Sequence, residues 1–190
     1  MGCQAAALTV LAGPSGVGKG TVAAAIARLY PAVYLSVSAT TRPPRLGEAD
    51  GVSYFFMSRA DFEAAVGQGE LLEWAEYNGN LYGTPRGPVA AAIKGGRPAL
   101  LEIDLAGARQ VRAAVPEALQ VFLMPPSWDE LERRLLERGT ETAAQLAARL
   151  AVAAAEVEAR DEFDAVVVND RLERTVAEVA GLMGLQPAAG

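Results

Sequence analysis

Gly13-Pro14-Ser15-Gly16-Val17-Gly18-Lys19-Gly20-Thr21 is a glycine-rich segment between an apolar run at 5–12 and a helical pattern that ends before Pro31. The apolar run is typical of a buried strand in a parallel sheet. Strand, glycine-rich turn and helix in this order predict a phosphate-binding loop, because glycines permit positive φ angles and let successive N–H groups converge on an anion. Lys19 adds a full positive charge at the same place. The alternative is an ordinary strand-to-helix turn with a solvated lysine.

The residue after the lysine departs from the usual pattern of such loops. Ser or Thr normally follows the lysine directly, whereas this chain has Gly20 there and Thr21 one position later. The sequence therefore leaves open which hydroxyl, if any, contacts a magnesium ion.

The alternation of strand and helix returns in the second half of the chain. Strands are expected at 98–104, 119–123 and 165–169. Helices are expected at 105–115, from Ser127 onward, and at 172–183. This order predicts an α/β fold with a parallel sheet.

Two regions interrupt this alternation. Residues 36–84 are rich in Thr, Pro, Gly and aromatics, with extended pieces expected at 51–56 and 71–74 and one short helix at 61–66. They predict an inserted β-rich subdomain. Residues 127–161 predict a helical hairpin that turns at 138–140.

Composition excludes several classes of function. A length of 190 residues predicts one domain. With no histidine, the chain cannot use a Ser-His-Asp triad or a histidine metal site, and the single Cys3 excludes a zinc site built of cysteines. The net charge of −6 argues against a nucleic-acid partner, and the apolar run at 5–12 is too short to cross a membrane. We expect a cytoplasmic protein.

Two arginines form a candidate anion site in the inserted region. Arg42 and Arg45 flank Pro43 and Pro44, which restrict the backbone between the two guanidinium groups. Both side chains can then point toward one target, and a phosphate dianion accepts two bidentate charge-assisted hydrogen bonds. The alternative is a solvated basic loop.

Glu73 is a candidate for base recognition. In an extended segment it shares a face with Leu71, Ala75 and Tyr77. A carboxylate among apolar residues needs a partner, and guanine offers adjacent N1–H and N2 donors that match its two oxygens, whereas adenine has an acceptor at N1. The alternative is an edge-strand glutamate in water or paired with a nearby arginine.

The chain resembles the guanylate kinase family over nearly its whole length, from the first strand to the last helix. The matching stretches are Gly13 to Thr21, Ser36-Val37-Ser38-Ala39-Thr40-Thr41-Arg42, Pro44-Arg45, Gly47-Glu48, Asp50-Gly51, Tyr54-Phe55-Phe56, Gly69-Glu70-Leu71-Leu72-Glu73-Trp74-Ala75, Tyr82-Gly83-Thr84, Glu102-Ile103-Asp104, Arg138-Gly139-Thr140-Glu141-Thr142 and Val168-Asn169.

The resemblance implies a P-loop nucleoside monophosphate kinase fold with a five-stranded parallel core sheet flanked by helices. It implies one domain spanning 1–190, with a small β-rich GMP-binding insertion at 36–84 and a helical lid at 127–161. The core would comprise 1–35, 85–126 and 162–190.

The resemblance also assigns roles to individual residues. Phosphoryl transfer would depend on Lys19, Arg134, Arg138 and Arg149. ATP would contact Gly13, Pro14, Ser15, Gly16, Val17, Gly18, Lys19, Gly20, Thr21 and Asn169. The GMP phosphate would lie between Arg42, Arg45, Tyr54 and Tyr82, and the base would meet Glu73, Ser38 and Thr84. Glu102, which stands where many relatives have Asp, and Asp104 would complete the GMP site.

The implied reaction is MgATP + GMP ⇌ ADP + GDP, with dGMP as a second acceptor, by direct in-line transfer. No residue is assigned as a certain magnesium ligand; the ion would arrive with ATP, and Thr21 and Asp104 would contact it through water. No nucleic acid, membrane or obligate protein partner is expected. For Arg134 the alternative is a salt bridge with Glu130, four residues earlier.

Two other functions remain open at this point. A guanylate-kinase-like protein-binding module would keep the fold, but such modules typically lose the loop lysine and the lid arginines. A kinase for another acceptor, such as a ribose bisphosphate, would keep the fold and change only the acceptor. Retention of Tyr54, Glu73 and Tyr82 favours a guanine nucleotide.

Overall fold

The computed structural model describes residues 6–137 and 143–186 of the chain, with the backbone alone for 143–145. The strands are β1 Leu8–Ala12, β2 Tyr34–Leu35, β3 Ala39–Thr40, β4 Phe55–Phe56, β5 Leu71–Tyr77, β6 Asn80–Pro85, β7 Ala99–Glu102, β8 Leu119–Met124 and β9 Ala165–Val168. The helices are α1 Lys19–Leu29, α2 Arg59–Gly67, α3 Arg86–Lys94, α4 Leu105–Ala114, α5 Trp128–Leu136, α6 Ala143–Glu158 and α7 Leu172–Leu182, with a 3₁₀ turn at Ala159–Glu162.

The central sheet has five strands in the order β2-β7-β1-β8-β9, and every neighbouring pair is parallel. All residues of β1 are buried, because helices cover both faces of the sheet. Leu11 packs with α1 and α7 on one face, whereas Val10 packs with α3 and α4 on the other. The predicted α/β fold with a five-stranded parallel sheet is confirmed. Ligands of such sheets bind beyond the carboxyl ends of the strands.

A second sheet is built from residues between β2 and α3, in the order β4-β3-β6-β5. Strands β5 and β6 form an antiparallel hairpin through Asn78 and Gly79, whose φ angles of 49° and 75° are those of a two-residue type I′ turn. This sheet has its own small core around Phe62 and Leu81, which are buried. The expected short helix is present as α2, with Ser58 as its N-cap.

The extended segment expected at 51–56 is correct only for Phe55–Phe56. The residues before it form a turn, in which Gly51 has a φ of 71° and the N–H of Ser53 donates to the carbonyl of Ala49 at 2.9 Å. Local turn chemistry therefore prevails over the β propensity of the aromatic residues here.

Helices α5 and α6 form the described part of the predicted hairpin. Ser127 caps α5 by accepting a hydrogen bond from the N–H of Glu130 at 3.1 Å. Leu131, Leu135 and Ala153 are buried between the two helices. The expected turn at 138–140, with Arg138, lies outside the described residues.

At 16 residues, α6 is too short to span a bilayer. The same conclusion holds for each helix in 6–137 and 143–186, none of which combines the length and hydropathy of a membrane span.

Gly13→Ala should destabilise the fold by about 3 kcal/mol, because the backbone at this position suits only glycine. The φ of Gly13 is 146°, and a Cβ there would lie 2.4 Å from the carbonyl oxygen of Leu123 in β8. Urea unfolding would measure the loss. Gly181→Ala in α7 is the matched control, since its Cβ would meet open space and alanine favours a helix. Equal stability of the two variants would contradict the prediction.

Candidate active site

The glycine-rich segment forms a loop between the carboxyl end of β1 and the first turn of α1. Gly13, Gly16 and Gly18 have positive φ angles of 146°, 86° and 99°. The side chain of Val17 is buried in the core and holds the loop against the sheet. The loop therefore has the fixed backbone that an anion site at a helix N-terminus requires.

Lys19 is the first residue of α1, and its side chain turns back over this loop. The ammonium Nζ donates to the carbonyl oxygens of Gly13 at 2.6 Å and Pro14 at 3.3 Å. These contacts hold a full positive charge at the mouth of the loop, where the helix dipole also favours an anion.

A cavity of about 390 Å³ opens on one side of the loop. Among the residues that line it are Gly16, Gly18, Thr21, Arg134 and Asn169, all predicted for ATP binding or phosphoryl transfer. Asn169 follows β9, and its Nδ2 donates to the carbonyl of Val17 at 2.8 Å. Strand β9 thus brings a residue from the far end of the sequence to the phosphate loop.

Arg134 and Arg149 bring α5 and α6 to the loop. Nη1 of Arg134 donates to the carbonyl of Val17 at 3.1 Å, and Nη2 of Arg149 donates to Oγ of Ser15 at 2.7 Å. Arg134 also makes the alternative contact expected from its spacing, since its Nε donates to Glu130 Oε1 at 2.7 Å. The lid interpretation and the salt-bridge interpretation of Arg134 are thus compatible.

Two arginines on α5 share the same carboxylate. Hydrogen bonds from two arginines lower the pKa of Glu130 to about 2, and the bond from Arg133 has a larger effect than the bond from Arg134. Glu130 therefore stays ionised, and it fixes the direction of the Arg134 side chain toward the loop.

Glu156 also belongs to this site, although it lies in none of the motifs found in the sequence. Its Oε2 accepts a hydrogen bond from the N–H of Ser15 at 3.3 Å. Burial raises the pKa of Glu156, and the charge of Lys19 opposes that rise. Glu156 lies seven residues after Arg149 on the same helix, so the i, i+7 spacing of two charges on an alanine-rich helix was the available signal.

A second cavity, of about 290 Å³, lies between the inserted sheet and the central sheet. Five of the residues predicted for GMP binding line it: Ser38, Glu73, Tyr82, Glu102 and Asp104. One of its lining residues lies beside the phosphate loop, since Glu102 Oε2 is 3.2 Å from the place that a Cβ at Gly20 would take. A side chain at the position where such loops usually have Ser or Thr would therefore press on Glu102.

Glu73 is a buried carboxylate in this cavity, with 7% of its surface exposed. Oγ1 of Thr84, on the neighbouring strand β6, donates to its Oε1 at 2.6 Å. Strand β5 is an edge strand, but the pairing register shifts between Leu71 and Glu73, so that three successive side chains are buried. The alternative of a glutamate in water is wrong.

Burial raises the pKa of Glu73 above its ordinary value of 4.5, and the Asp104 carboxylate adds to the rise, while the Thr84 hydrogen bond opposes it. A raised pKa in the folded state means that ionisation of Glu73 costs stability.

Glu73→Gln should therefore gain stability relative to the parent as the pH rises. The gain should begin near the unfolded-state pKa of 4.5 and be complete once the pH exceeds the folded-state pKa. Melting temperatures of both nucleotide-free proteins between about pH 4 and 8 would measure it. A difference that does not vary with pH would contradict the burial argument.

Arg42 is paired within the protein. Its Nη2 donates to Glu48 Oε1 at 2.8 Å, and its guanidinium lies 5.3 Å from the ring centroid of Tyr54. The hydrogen bond to Glu48 raises the pKa of Arg42. Tyr54 in turn contacts Tyr82 edge to ring, at 6.1 Å between centroids. The structure thus brings three of the four residues predicted for the GMP phosphate together.

The fourth, Arg45, has an exposed side chain, and its backbone N–H donates to Glu48 Oε2 at 2.7 Å. Glu48 therefore accepts hydrogen bonds from the side chain of Arg42 and from the backbone of Arg45, although no role was expected for it from the sequence. A carboxylate shortly after two arginines was the signal for it.

Comparison with known proteins decides the family. The sequence pattern of the family described as "Guanylate kinase" matches residues 5–185. The chain belongs to the guanylate kinase family. A curated guanylate kinase of Synechococcus sp. (strain CC9902) is 57% identical over 179 residues, which are 94% of this chain and 96% of the relative. A guanylate kinase of Thermobifida fusca is 55% identical over 176 residues, 93% of this chain and 90% of the relative.

A solved structure of the family has the same architecture. The crystal structure of guanylate kinase from Anaplasma phagocytophilum matches with a TM-score of 0.73 and 32% identity, covering 95% of this chain and 86% of that one. The resemblance to guanylate kinases drawn from the motifs is confirmed, and so is the fold that it implied.

Proposed function

We propose that the protein transfers the γ-phosphoryl group of ATP to GMP, and also to dGMP, giving ADP and GDP or dGDP. The observation that carries the proposal is the pair of cavities at one phosphate loop. One cavity is lined by Arg134 and Asn169, and the other by a buried carboxylate, Glu73, that suits the two donors of guanine. Relatives more than half identical to this chain carry the name guanylate kinase.

On the donor side, we assign the triphosphate of ATP to residues 13–21 and the adenine end to the cavity beside Asn169. The N–H groups of the loop and Lys19 would hold the phosphates, and Arg134 and Arg149 already contact the loop from the lid. Arg138, outside the described residues, is assigned to the same role because it matches the family motif.

On the acceptor side, we assign the GMP phosphate to Arg42, Arg45, Tyr54 and Tyr82. Arg42 now donates to the carboxylate of Glu48. When GMP binds, it would donate to the phosphate as well and less to Glu48, because carboxylate and phosphate oxygens are both anionic acceptors. The guanine would meet Glu73, Ser38 and Thr84. Glu102 and Asp104 would complete the site near the transferred group.

The reaction is a single in-line displacement. A phosphate oxygen of GMP attacks the γ-phosphorus, and the bond from that phosphorus to the oxygen retained by ADP breaks, so no phosphorylated enzyme forms. Positioning and charge stabilisation supply the catalysis, which explains how a chain without histidine suffices. Lys19 and the lid arginines stabilise the charge on the equatorial oxygens, and the lid excludes water that would hydrolyse ATP.

We propose Mg²⁺ as the accompanying ion. Mg²⁺ prefers oxygen ligands and is usually held by one or two carboxylates together with water and substrate phosphates. The carboxylate of Asp104 and the hydroxyl of Thr21 are oxygen donors at the two cavities, so they fit an ion that arrives with ATP and that they would contact through water. When bound, the ion would neutralise phosphate charge. Within the described residues, no cluster of three acidic, histidine or cysteine side chains could hold a metal, so the substrate phosphates and water would supply most of the ligands.

We assign GMP binding to the subdomain at 36–84, lid closure to residues 127–161, and the core to 1–35, 85–126 and 162–190. The second sheet lies within the first of these segments apart from Pro85, the last residue of β6. We also propose that the enzyme acts in the cytoplasm on small molecules, without nucleic acid or an obligate protein partner.

A coupled assay for ADP release with GMP, dGMP, AMP, UMP and CMP tests the proposal. We expect turnover with GMP and dGMP that exceeds turnover with AMP by about 10⁴-fold or more, because the buried carboxylate cannot pair with the acceptor of adenine. Turnover with a different acceptor would indicate a kinase of another substrate. No turnover with any of them would favour a protein-binding module.

A further inference from the structure

Helix α4 is bonded to the strand that carries Glu73. Strand β5 lies at the edge of its sheet, so within residues 6–137 and 143–186 no strand pairs with the outward N–H and C=O groups of Trp74. Gln110 of α4 takes that place: its Nε2 donates to the carbonyl of Trp74 at 2.9 Å, and its Oε1 accepts from the N–H of Trp74 at 3.1 Å. One carboxamide thus fixes the residue next to Glu73.

The same helix leaves room for the carboxylate itself. A Cβ at Gly107 would lie 2.8 Å from Glu73 Oε2 and 3.3 Å from Asp104 Oδ1. Gly107 and Gln110 are three residues apart and share one face of α4. The face that holds the backbone of β5 is therefore also the face against which the Glu73 carboxylate lies.

Helix α4 connects this carboxylate to the central sheet. Ala108 and Val111 pack in the core with Val10 of β1, the strand that leads into the phosphate loop. Asp104 caps α4 by accepting from the N–H of Gly107 at 2.7 Å. Strand β5 belongs to the inserted sheet, so Gln110 is a direct link between that sheet and the core.

We propose that Gln110 and Gly107 are positioning residues for guanine recognition: Gln110 holds the backbone beside Glu73, and Gly107 provides the space in which its carboxylate faces the base. The proposal rests on the proposed function, since it assigns a base to that carboxylate. Neither residue is assigned contact with the nucleotide.

Gln110→Met keeps the length of the side chain but removes both hydrogen bonds. We expect the KM for GMP to rise about tenfold or more, because displacements of the order of 1 Å at a binding group have such effects. The KM for ATP and kcat at saturating GMP should stay close to those of the parent, and the preference for GMP over AMP should fall. Gln68→Met is the matched control, because Gln68 is exposed beyond the end of α2.

Gly107→Ala tests the space beside the carboxylate. Alanine suits a helix, and the group that must move is the flexible end of Glu73, so the protein should fold. The KM for GMP should rise here as well, again with little change in the KM for ATP. In the nucleotide-free protein, carbon-13 NMR of the Glu73 carboxyl should show a pKa closer to its ordinary value than in the parent.

The outcomes separate the two proposals. A lower melting temperature with unchanged KM for GMP, unchanged preference and an unchanged Glu73 pKa would mean that α4 acts on stability alone, which would overturn the inference. A parent protein that does not phosphorylate GMP would instead refute the proposed function. The Glu73 titration in Gly107→Ala would then still test whether α4 positions the carboxylate.

Discussion

Lys19→Met should lower kcat by about a thousandfold or more, because charge stabilisation of the moving phosphoryl group is the largest contribution available to this active site. In the structure the ammonium of Lys19 lies at the mouth of the loop, 2.6 Å from the carbonyl of Gly13. Methionine is an unbranched side chain only one atom shorter than lysine, and it carries no charge. A coupled assay at saturating ATP and GMP would measure the effect.

Lys94→Met provides the matched control. Lys94 is the only other lysine of the chain, and it lies exposed at the end of α3. It should retain the activity of the parent. Circular dichroism and melting of Lys19→Met would show that the fold persists. Turnover near that of the parent in a folded Lys19→Met protein would refute the role of the phosphate loop.

Glu73→Gln should lower kcat/KM for GMP by about a hundredfold or more, with little change in the KM for ATP. The glutamine still accepts the hydrogen bond from Thr84, but its NH₂ group would face a donor of guanine at the second position. The buried site gives water little access to relieve this mismatch, since only 7% of the Glu73 surface is exposed. Steady-state kinetics with each nucleotide varied in turn would separate the two effects.

Glu70→Gln is the control for this change. Glu70 is exposed just before β5 and does not line the cavity that contains Glu73. It should leave the kinetics with GMP unchanged. Unaltered selectivity for GMP over AMP in Glu73→Gln would remove Glu73 from base recognition. Glu73→Gln is expected to be more stable than the parent at neutral pH. A melting temperature at least as high as that of the parent would therefore show that lost activity is not caused by lost folding.

The parts of the fold that are predictable from sequence have local signals. The phosphate loop is visible because glycines, a lysine, a preceding apolar strand and a following helix are adjacent in the chain. Strands β7, β8 and β9 are apolar runs of the kind that parallel sheets require. Helix α3 was not predicted, because its first turn reads Arg86-Gly87-Pro88, which is typical of a loop. Proline is nevertheless tolerated there, since first-turn N–H groups have no helical partner.

The site residues that the sequence analysis missed act through distant contacts. Glu156 meets Ser15 across 141 positions, and Gln110 meets Trp74 across 36. Neither belongs to a motif with a chemical signature of its own, and the i, i+7 spacing of Arg149 and Glu156 does not by itself indicate a site, so the packing of α6 and α4 is needed to identify them. Glu48 is closer to Arg42, but a carboxylate in a basic loop is as typical of a surface salt bridge as of a phosphate site.

Direct transfer of the γ-phosphoryl group of ATP onto GMP converts the two nucleotides into ADP and GDP in equal amounts. Phosphorus-31 NMR of a mixture of the protein, ATP, GMP and Mg²⁺ tests it without coupling enzymes. Resonances of ADP and GDP should grow together at equal rates, with no inorganic phosphate. Release of inorganic phosphate in place of GDP, or an unchanged spectrum with folded protein, would contradict it.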